Sequence, residues 1–301
     1  MLAALHIDFH QQEQSGCCPD GGRLNLYGES MRYALVNDER REAEPGVAGT
    51  CPGCGQPMIA KCGDQRIHHW AHRGMRTCDP WWEPETPWHR RWKAQFPPDW
   101  QEVVQHDETG ERHIADVRTK HRLVLEFQHS HIRPQERQAR EAFYRDMVWI
   151  VDGTRRTRDL PRFEEGRHSL QVSPWQGLYT TPFPQECFPR DWLDSRAPVF
   201  FDFAGTETFG PHVPAERRLL WGLLPGRAEG HAVVVVLARQ NLVRAAHARP
   251  QIVASRKIVT ILGERFRAAR VRAMLEARRY PLKTAWKPRR RWRPRRRTAR
   301  F

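Results

Sequence analysis

Ile114-Ala115-Asp116-Val117 and, a turn later, Leu123-Val124-Leu125-Glu126-Phe127-Gln128 decide how this 301-residue chain is read. Each run is apolar and strand-like, and each holds one acid. A carboxylate among apolar neighbours is costly unless something pairs with it, and a metal ion is a common partner. The two acids stand ten residues apart, on adjacent arms of what reads as one hairpin. An Asp followed at that distance by Glu-x-Gln has the spacing of a magnesium-dependent phosphodiesterase centre. In a strongly basic chain this makes a nuclease the leading expectation.

Working outward, Glu102-Val103-Val104-Gln105, His113 to Val117 and Arg122 to Gln128 read as three strands joined by turns at 108–111 and 119–121. The short connections predict antiparallel pairing. A Trp-rich helix is expected before them, over Glu85 to Phe96. Pro134 opens a second helix running to Asp146, with Ala139, Ala142 and Phe143 as its apolar stripe. Met147-Val148-Trp149-Ile150-Val151 reads as a buried strand, parallel to its neighbour because a helix leads into it. The order is helix, three strands, helix, strand.

Asp116, Glu126 and Glu85 are candidate oxygen ligands for one or two Mg²⁺ or Mn²⁺ ions. Glu85, His89 and Lys93 recur every four residues and line one helix face. Trp88, Trp92 and Phe96 line the next face, expected to pack on the sheet. Pro87 sits awkwardly inside a helix, and a start with Thr86 as cap and Pro87 first leaves Glu85 just outside. Gln128 holds the third position of Glu126-Phe127-Gln128, where a group that orients water or supports developing charge is wanted. Its amide hydrogen-bonds but carries no charge. If the strand continues, Glu126, Gln128 and Ser130 share a face. The plainer readings are ordinary ion pairs: Asp116 with Arg112 or Arg118, Glu126 with Arg122 or Arg140, and a solvated stripe on the helix.

Cys51-Pro52-Gly53-Cys54 has the turn chemistry of a zinc knuckle, with two thiolates from one tight loop and Gly53 permitting the bend. Residues 48–80 are rich in Gly, Cys and His and need such a staple to fold. The remaining ligands come from His72 and Cys78, with His69 competing and Cys62 a further possibility. A redox role for the Cys-x-x-Cys is disfavoured, because no strand-then-helix context surrounds it.

The formal net charge is +15, from 50 Lys and Arg against 35 Asp and Glu, which favours a polyanionic partner. Residues 283–301 read as a disordered basic tail, in which Arg289, Arg290, Arg291, Arg293, Arg295, Arg296 and Arg297 flank Trp292. Arginines neutralise phosphates and indoles stack on bases, so non-specific nucleic-acid binding is expected there; a solvated tail is the alternative. Seven cysteines, an odd number, fit reduced thiols and metal better than disulfides. No secretory signal or membrane-spanning run is read, and the compartment expected is the cytoplasm. Extended candidates lie at Arg23 to Tyr27, Met31 to Val36, Pro198 to Phe203 and His231 to Leu237. A helix is read over Glu264 to Tyr280, and residues 155–195 read as irregular.

Taken together, Cys51-Pro52-x-Cys54, His69-Trp70-Ala71-His72, Glu85-x-x-x-His89-x-x-x-Lys93, Ala115-Asp116-Val117 and Glu126-Phe127-Gln128-x-Ser130 keep an order that resembles the competence protein CoiA-like family. That family is assigned to the PD-(D/E)xK nuclease superfamily, and the resemblance spans residues 25–155. It implies an αβββαβ restriction-endonuclease-like core preceded by a small zinc-binding β element and followed by a smaller C-terminal α/β region. The corresponding bounds are 1–80, 81–154 and 155–282, before the tail at 283–301. By that resemblance Asp116 and Glu126 are metal ligands, Gln128 replaces the usual lysine, and Glu85 matches the acid of the first helix. His89, Lys93, Arg137 and Tyr144 take catalytic or supporting places. The implied activity is that of an endodeoxyribonuclease dependent on Mg²⁺ or Mn²⁺. Its implied setting is competence, recombination or defence, beside proteins of those pathways, with DNA favoured over RNA. The competing function is a catalytically inactive nucleic-acid-binding accessory.

Overall fold

The computed structural model describes residues 30–64, 67–74, 78–81, 83–204 and 215–279. The strand expected at Arg23–Tyr27 and the basic tail at 283–301 lie outside them. The chain divides into two units, Met1–Pro84 and Glu85–Phe301.

The first unit is a six-stranded sheet built from β1 (Ser30–Met31), β2 (Tyr33–Val36), β3 (Glu39–Glu42), β4 (Ala48–Thr50), β5 (Pro57–Lys61) and β6 (His69–His72), in the order β1-β6-β5-β4-β2-β3. Asn37 and Asp38 join β2 to β3 with φ of 53° and 65°, the positive values a two-residue hairpin turn requires. Met31, Tyr33, Met58 and Trp70 are buried, and the Trp70 indole donates to the Arg41 carbonyl at 2.9 Å. Gly49 has no room for a side chain: a Cβ there would lie 3.0 Å from the Leu35 carbonyl oxygen and 3.3 Å from the Trp70 ring. Six short strands around one tryptophan make a thin core, which is why this segment needs a further staple.

The second unit holds a nine-stranded sheet. It begins with α1 (Pro87–Lys93), then β7 (Gln101–His106), β8 (Arg112–Arg118), β9 (Val124–Gln128), α2 (Pro134–Tyr144) and β10 (Met147–Asp152). The expected order and directions are present: β7, β8 and β9 pair antiparallel, and β10 lies parallel to β9. α1 starts at Pro87 with Thr86 as its cap, so Glu85 stands outside the helix. In β8, buried residues alternate with half-buried ones, as a strand with one covered face should. All six residues of β10 are buried, as in a central parallel strand.

The chain continues through α3 (Asp159–Gly166), β11 (Gln171–Val172), β12 (Leu178–Thr181), β13 (Val199–Asp202), β14 (Leu219–Leu223), β15 (Ala232–Ala238), α4 (Arg239–Ala248) and α5 (Ser255–Arg279). The sheet order is β11-β12-β15-β14-β13-β10-β9-β8-β7. Residues 155–282 therefore do not form a sheet of their own: β13 pairs parallel with β10 and carries β14, β15, β12 and β11 beyond it. The reason is compositional. Val199-Phe200-Phe201 has no polar side to show to solvent, so it lies within the sheet with both faces covered, Phe200 in one core and Phe201 against Phe188. The stretch 155–195, expected to be irregular, contains α3, β11 and β12. The last helix begins at Ser255 rather than Glu264, because Ile258, Val259 and Leu262 give its first turns an apolar face.

Trp88, Trp92 and Phe96 pack with Val117, Leu125 and Phe127 as their spacing predicts. Leu242 of α4 and Leu262 of α5 extend the same core, so α1, α4 and α5 share one face of the sheet. On the other face Phe163 of α3 stacks on Phe203 at 4.1 Å, next to Trp221 and Phe188. Among the described residues no helix is long and apolar enough to cross a membrane.

Candidate functional site

Two constellations carry chemistry, one in each unit. In the first, the loop after β4 brings Cys51 and Cys54 together, and β6 with the segment after it supplies His72 and Cys78. One ligand atom from each of these four residues lies within 4.8 Å of the other three. The Cys51 and Cys78 sulfurs are 3.8 Å apart, the edge of a tetrahedron with Zn–S bonds of about 2.3 Å. Cys54 Sγ lies 3.3 Å from His72 Nε2. The loop is shaped for thiolate: the Gly53 amide points at Cys51 Sγ at 3.3 Å, and Gly55 closes the turn at φ 70°. The Cys51 thiol is lowered to about 5, chiefly by its hydrogen bond with Cys78. Burial opposes this, and the Cys54 and Gly53 amides and His72 reinforce it. This Cys₃His set is a possible metal site with the donors of structural zinc. His69 is not part of it, since its Nδ1 faces the Ile67 carbonyl at 2.8 Å, and Cys62 also lies outside the set.

In the second unit, α1 is fixed before it contributes anything to a site. Its two indoles, Trp88 and Trp92, donate to Asp202 Oδ2 on β13 at 3.2 and 3.0 Å. His89 Nε2 donates to the Phe127 carbonyl on β9 at 2.8 Å. Its Nδ1 therefore accepts from the Thr86 amide and hydroxyl, at 3.2 and 2.9 Å, completing a capping box. Both ring nitrogens are engaged and His89 is buried, so in this structure it clamps α1 to β9.

Asp116 and Glu126 meet across the β8–β9 gap. The ladder pairs Arg118 with Val124 and Val117 with Leu125, so the next step sets the two acids opposite each other. There the ladder opens and carboxylates take over its hydrogen bonds. The Asp116 amide donates to Glu126 Oε1 at 3.2 Å, and the Phe127 amide donates to Asp116 Oδ2 at 2.9 Å. Glu126 is 3% exposed. Burial, then the charge of Asp116, pushes its carboxyl up to about 8, against the pull of Arg140. Arg140 of α2 pairs with Glu126 at 3.0 Å and with Glu136 at 2.6 Å. The plain ion pair foreseen for Glu126 is thus present. Asp116 pairs with Lys93 at 3.0 Å rather than with Arg112 or Arg118.

Lys93 also touches Glu85 at 3.3 Å and Glu102 at 3.4 Å, and Glu85 holds Arg90 at 2.6 Å. Burial alone would lower the Lys93 ammonium; Asp116, Glu85 and Glu102 outweigh it and hold its pKa well above the ordinary lysine value. The same contacts keep the Glu85 carboxyl below its usual range despite its burial. Glu85 therefore reaches the site through Lys93. Gln128 is buried, and its amide nitrogen donates to the carbonyl and hydroxyl of Ser130 at 3.2 and 3.3 Å. Arg137 and Tyr144 stand elsewhere. Arg137 is fully buried between Glu141 at 2.8 Å and Asp194 at 2.6 Å, in a network that also ties Trp149 and Ser195 to Glu141. Tyr144 packs edge-on against Phe143. Both brace α2. Glu102 was missed by the sequence reading, where it looked like the polar start of a strand; its only signal was an acid beside Val103-Val104.

Residues 46–80 match a family model described as the N-terminal domain of competence protein CoiA, and all four Cys/His ligand residues fall inside that match. In that stretch the chain is similar to competence protein CoiA. It is 27% identical over 146 residues to competence protein CoiA of Bacillus subtilis (strain 168), an alignment that takes in 44% of this chain. This chain spans 38% of the length of that curated relative. No solved structure matches it.

Proposed function

We propose that the CoiA-like chain is a nuclease of the PD-(D/E)xK type, an endodeoxyribonuclease dependent on Mg²⁺ or Mn²⁺, whose core runs from α1 to β10. The observation that carries this reading is the opened ladder at Asp116 and Glu126. Two acids lie opposite each other on neighbouring strands, and burial, then the like charge of Asp116, pushes the Glu126 carboxyl up to about 8. The element order helix, three strands, helix, strand supports the same core. The printed name of the Bacillus relative supports a setting in competence; incoming or recombining DNA as substrate, and recombination or defence proteins as company, are part of the proposal.

The donor set fits a hard cation: Asp116 and Glu126 offer carboxylate oxygens, and Glu85 and Glu102 lie one side chain further out. Such an ion, when bound, polarises the scissile phosphate and lowers the pKa of a bound water. The chain's own residues do the rest. Arg140 fixes the rotamer of Glu126, and the Phe127 amide fixes that of Asp116. Lys93 brings a positive charge to the edge of the site, where the phosphate of a bound strand meets it. His89, Trp88 and Trp92 keep α1 rigid against the sheet, so that charge stays in place. Hydrolysis forms a bond from water oxygen to phosphorus and breaks one phosphorus–oxygen ester bond, leaving a phosphate and a hydroxyl end.

A second reading, a binding accessory without turnover, is favoured by Gln128 at the lysine position and by the ion pairs on both acids. In it, the arginines and Trp292 of 289–297 hold the nucleic acid. One experiment separates the two. The full chain is incubated with single-stranded, duplex and branched DNA, with Mg²⁺, Mn²⁺ or EDTA. Metal-dependent cleavage lost in Asp116→Ala and Glu126→Ala, with DNA affinity retained, supports the nuclease. Binding without cleavage on every substrate and metal leaves the accessory.

A further inference from the structure

Position 128 carries an amide, yet the acidic site is not short of positive charge. The Lys93 side chain is 6% exposed, and its ammonium is shared by Asp116 Oδ1 at 3.0 Å, Glu85 Oε1 at 3.3 Å and Glu102 Oε1 at 3.4 Å. These three come from three places in the fold: the residue before the α1 cap, the strand β7 and the strand β8.

Glu102 is set there by an unusual backbone. Its φ is 47°, in the left-handed region that a glutamate rarely adopts. The β7–β8 ladder pairs Gln101 with Val117 and Val103 with Ala115 and skips the pair between them, Glu102 and Asp116. A non-glycine residue persists in that conformation only where its surroundings over-determine it, and such positions gather at functional sites. The Glu102 carboxylate is 7% exposed, and Lys93 is its ionic partner.

We infer that Glu85 and Glu102 are positioning residues that seat the Lys93 ammonium against Asp116, and that Lys93 is the resident cation of this site, brought from the helix where the strand offers only Gln128. The inference rests on the nuclease reading for its role in cleavage, but the seat itself is independent of turnover. A charge fixed by three carboxylates needs no reorganisation when a phosphate arrives. It also competes with any divalent ion for Asp116.

The test uses the zinc-loaded full chain and Mn²⁺ alone as probe, with calorimetric titration and thermal melting, beside DNA cleavage. Lys93→Met takes the shared ammonium away from three carboxylates, of which Glu85 keeps a cation, Arg90, so Mn²⁺ should bind at least about tenfold tighter and raise the melting temperature more than in the wild type. Lys93→Arg, which keeps the charge, should leave Mn²⁺ affinity within about threefold. In a Glu102→Gln background the gain from Lys93→Met should shrink, because one of those carboxylates is gone. If Lys93→Met is unfolded without metal, millimolar Mn²⁺ should refold it, and failure to do so counts against the seat. Unchanged Mn²⁺ affinity in Lys93→Met overturns the inference whether or not the wild type cuts DNA. Where the wild type does cut, Lys93→Met should lose at least about a hundredfold in rate, Gln128→Lys should restore part of it, and Glu102→Gln should cost nothing further once Lys93 is gone. Full cleavage by Lys93→Met overturns the catalytic part. A wild type that cuts nothing, with Mn²⁺ tightened by Lys93→Met, overturns the nuclease reading and upholds the seat.

Discussion

Replacing Asp202 should loosen the second unit severely, because four groups depend on it. Asp202 is 2% exposed and accepts the Trp88 and Trp92 indoles and the Ala204 amide, while pairing with Arg239, itself 4% exposed. Burial pushes the Asp202 carboxyl above its ordinary value even with Arg239 beside it, so the charge is held against a desolvation cost. In Asp202→Ala the guanidinium stays buried without this partner, a loss of about 3–5 kcal/mol. Two indole donors and one amide also lose their acceptor, at about 1 kcal/mol each or less where they share relaxation. A total of about 4–6 kcal/mol is expected, a large part of the roughly 5–15 kcal/mol that holds a domain. Asp202→Asn keeps an acceptor for the indoles and should cost about half as much. Urea unfolding followed by tryptophan fluorescence measures both, since Trp88 and Trp92 report the contact directly. If the buried guanidinium is the main cost, Asp202→Ala/Arg239→Ala should be more stable than Asp202→Ala alone. An Asp202→Ala chain within about 1 kcal/mol of the wild type would refute the reasoning, and α1 would then need another anchor.

Other consequences are as direct. Purified chain should carry about one zinc, lost in Cys51→Ser, Cys54→Ser and Cys78→Ser and kept in Cys62→Ser, Cys187→Ser and His69→Ala, as elemental analysis would read; loss of zinc in His69→Ala would reassign the ligand set. His89→Ala should lower stability by about 1–3 kcal/mol through the cap and the Phe127 bond. It should leave the pH profile of any cleavage unmoved, and a lost basic or acidic limb would restore His89 to the chemistry. The Asp152 carboxyl is held below its ordinary value, burial being outweighed by hydrogen bonds from His129 and Thr154. A depressed native pKa adds stability above the unfolded value near 3.8, and that contribution is lost as pH falls through the native one. Asp152→Asn should therefore flatten the fall in urea midpoint between neutral and acidic pH, and an equally steep fall would remove Asp152 as its source.

What could be read from the sequence follows from how local each signal was. The three strands and α2 carry their own turns and periodicity, so 101–152 was legible, as was the Thr86 cap at Pro87. The four residues of the possible metal site were legible because spacing limits which thiols and imidazoles reach one ion. The later strands were not placed in the sheet, because membership depends on a distant partner: β13 joins β10 only once both are known to be buried on two sides. His89 was read as chemistry because a polar residue at helical spacing looks the same whether it faces a ligand or a backbone carbonyl, and Arg137 took its place from the family resemblance alone. Only the Phe127 carbonyl and the Glu141 carboxylate tell them apart.

The acidic site shows why pairwise reading of charges falls short there. Taken one at a time, Glu126 with Arg140 and Asp116 with Lys93 are unremarkable ion pairs, and a protein stabilised by them would gain little. Taken with the backbone, they are something else. The ladder gives up its bonds at 116 and 126, and Glu102 adopts a left-handed backbone at the neighbouring skipped pair. A strained glutamate and an opened ladder cost stability, of order 1–3 kcal/mol for the backbone alone. Simple pairing would not call for either, since an ordinary ladder with arginines at its rim would neutralise the same acids at less cost. Placing several carboxylates within reach of one cationic point does call for both, and that point is now held by Lys93.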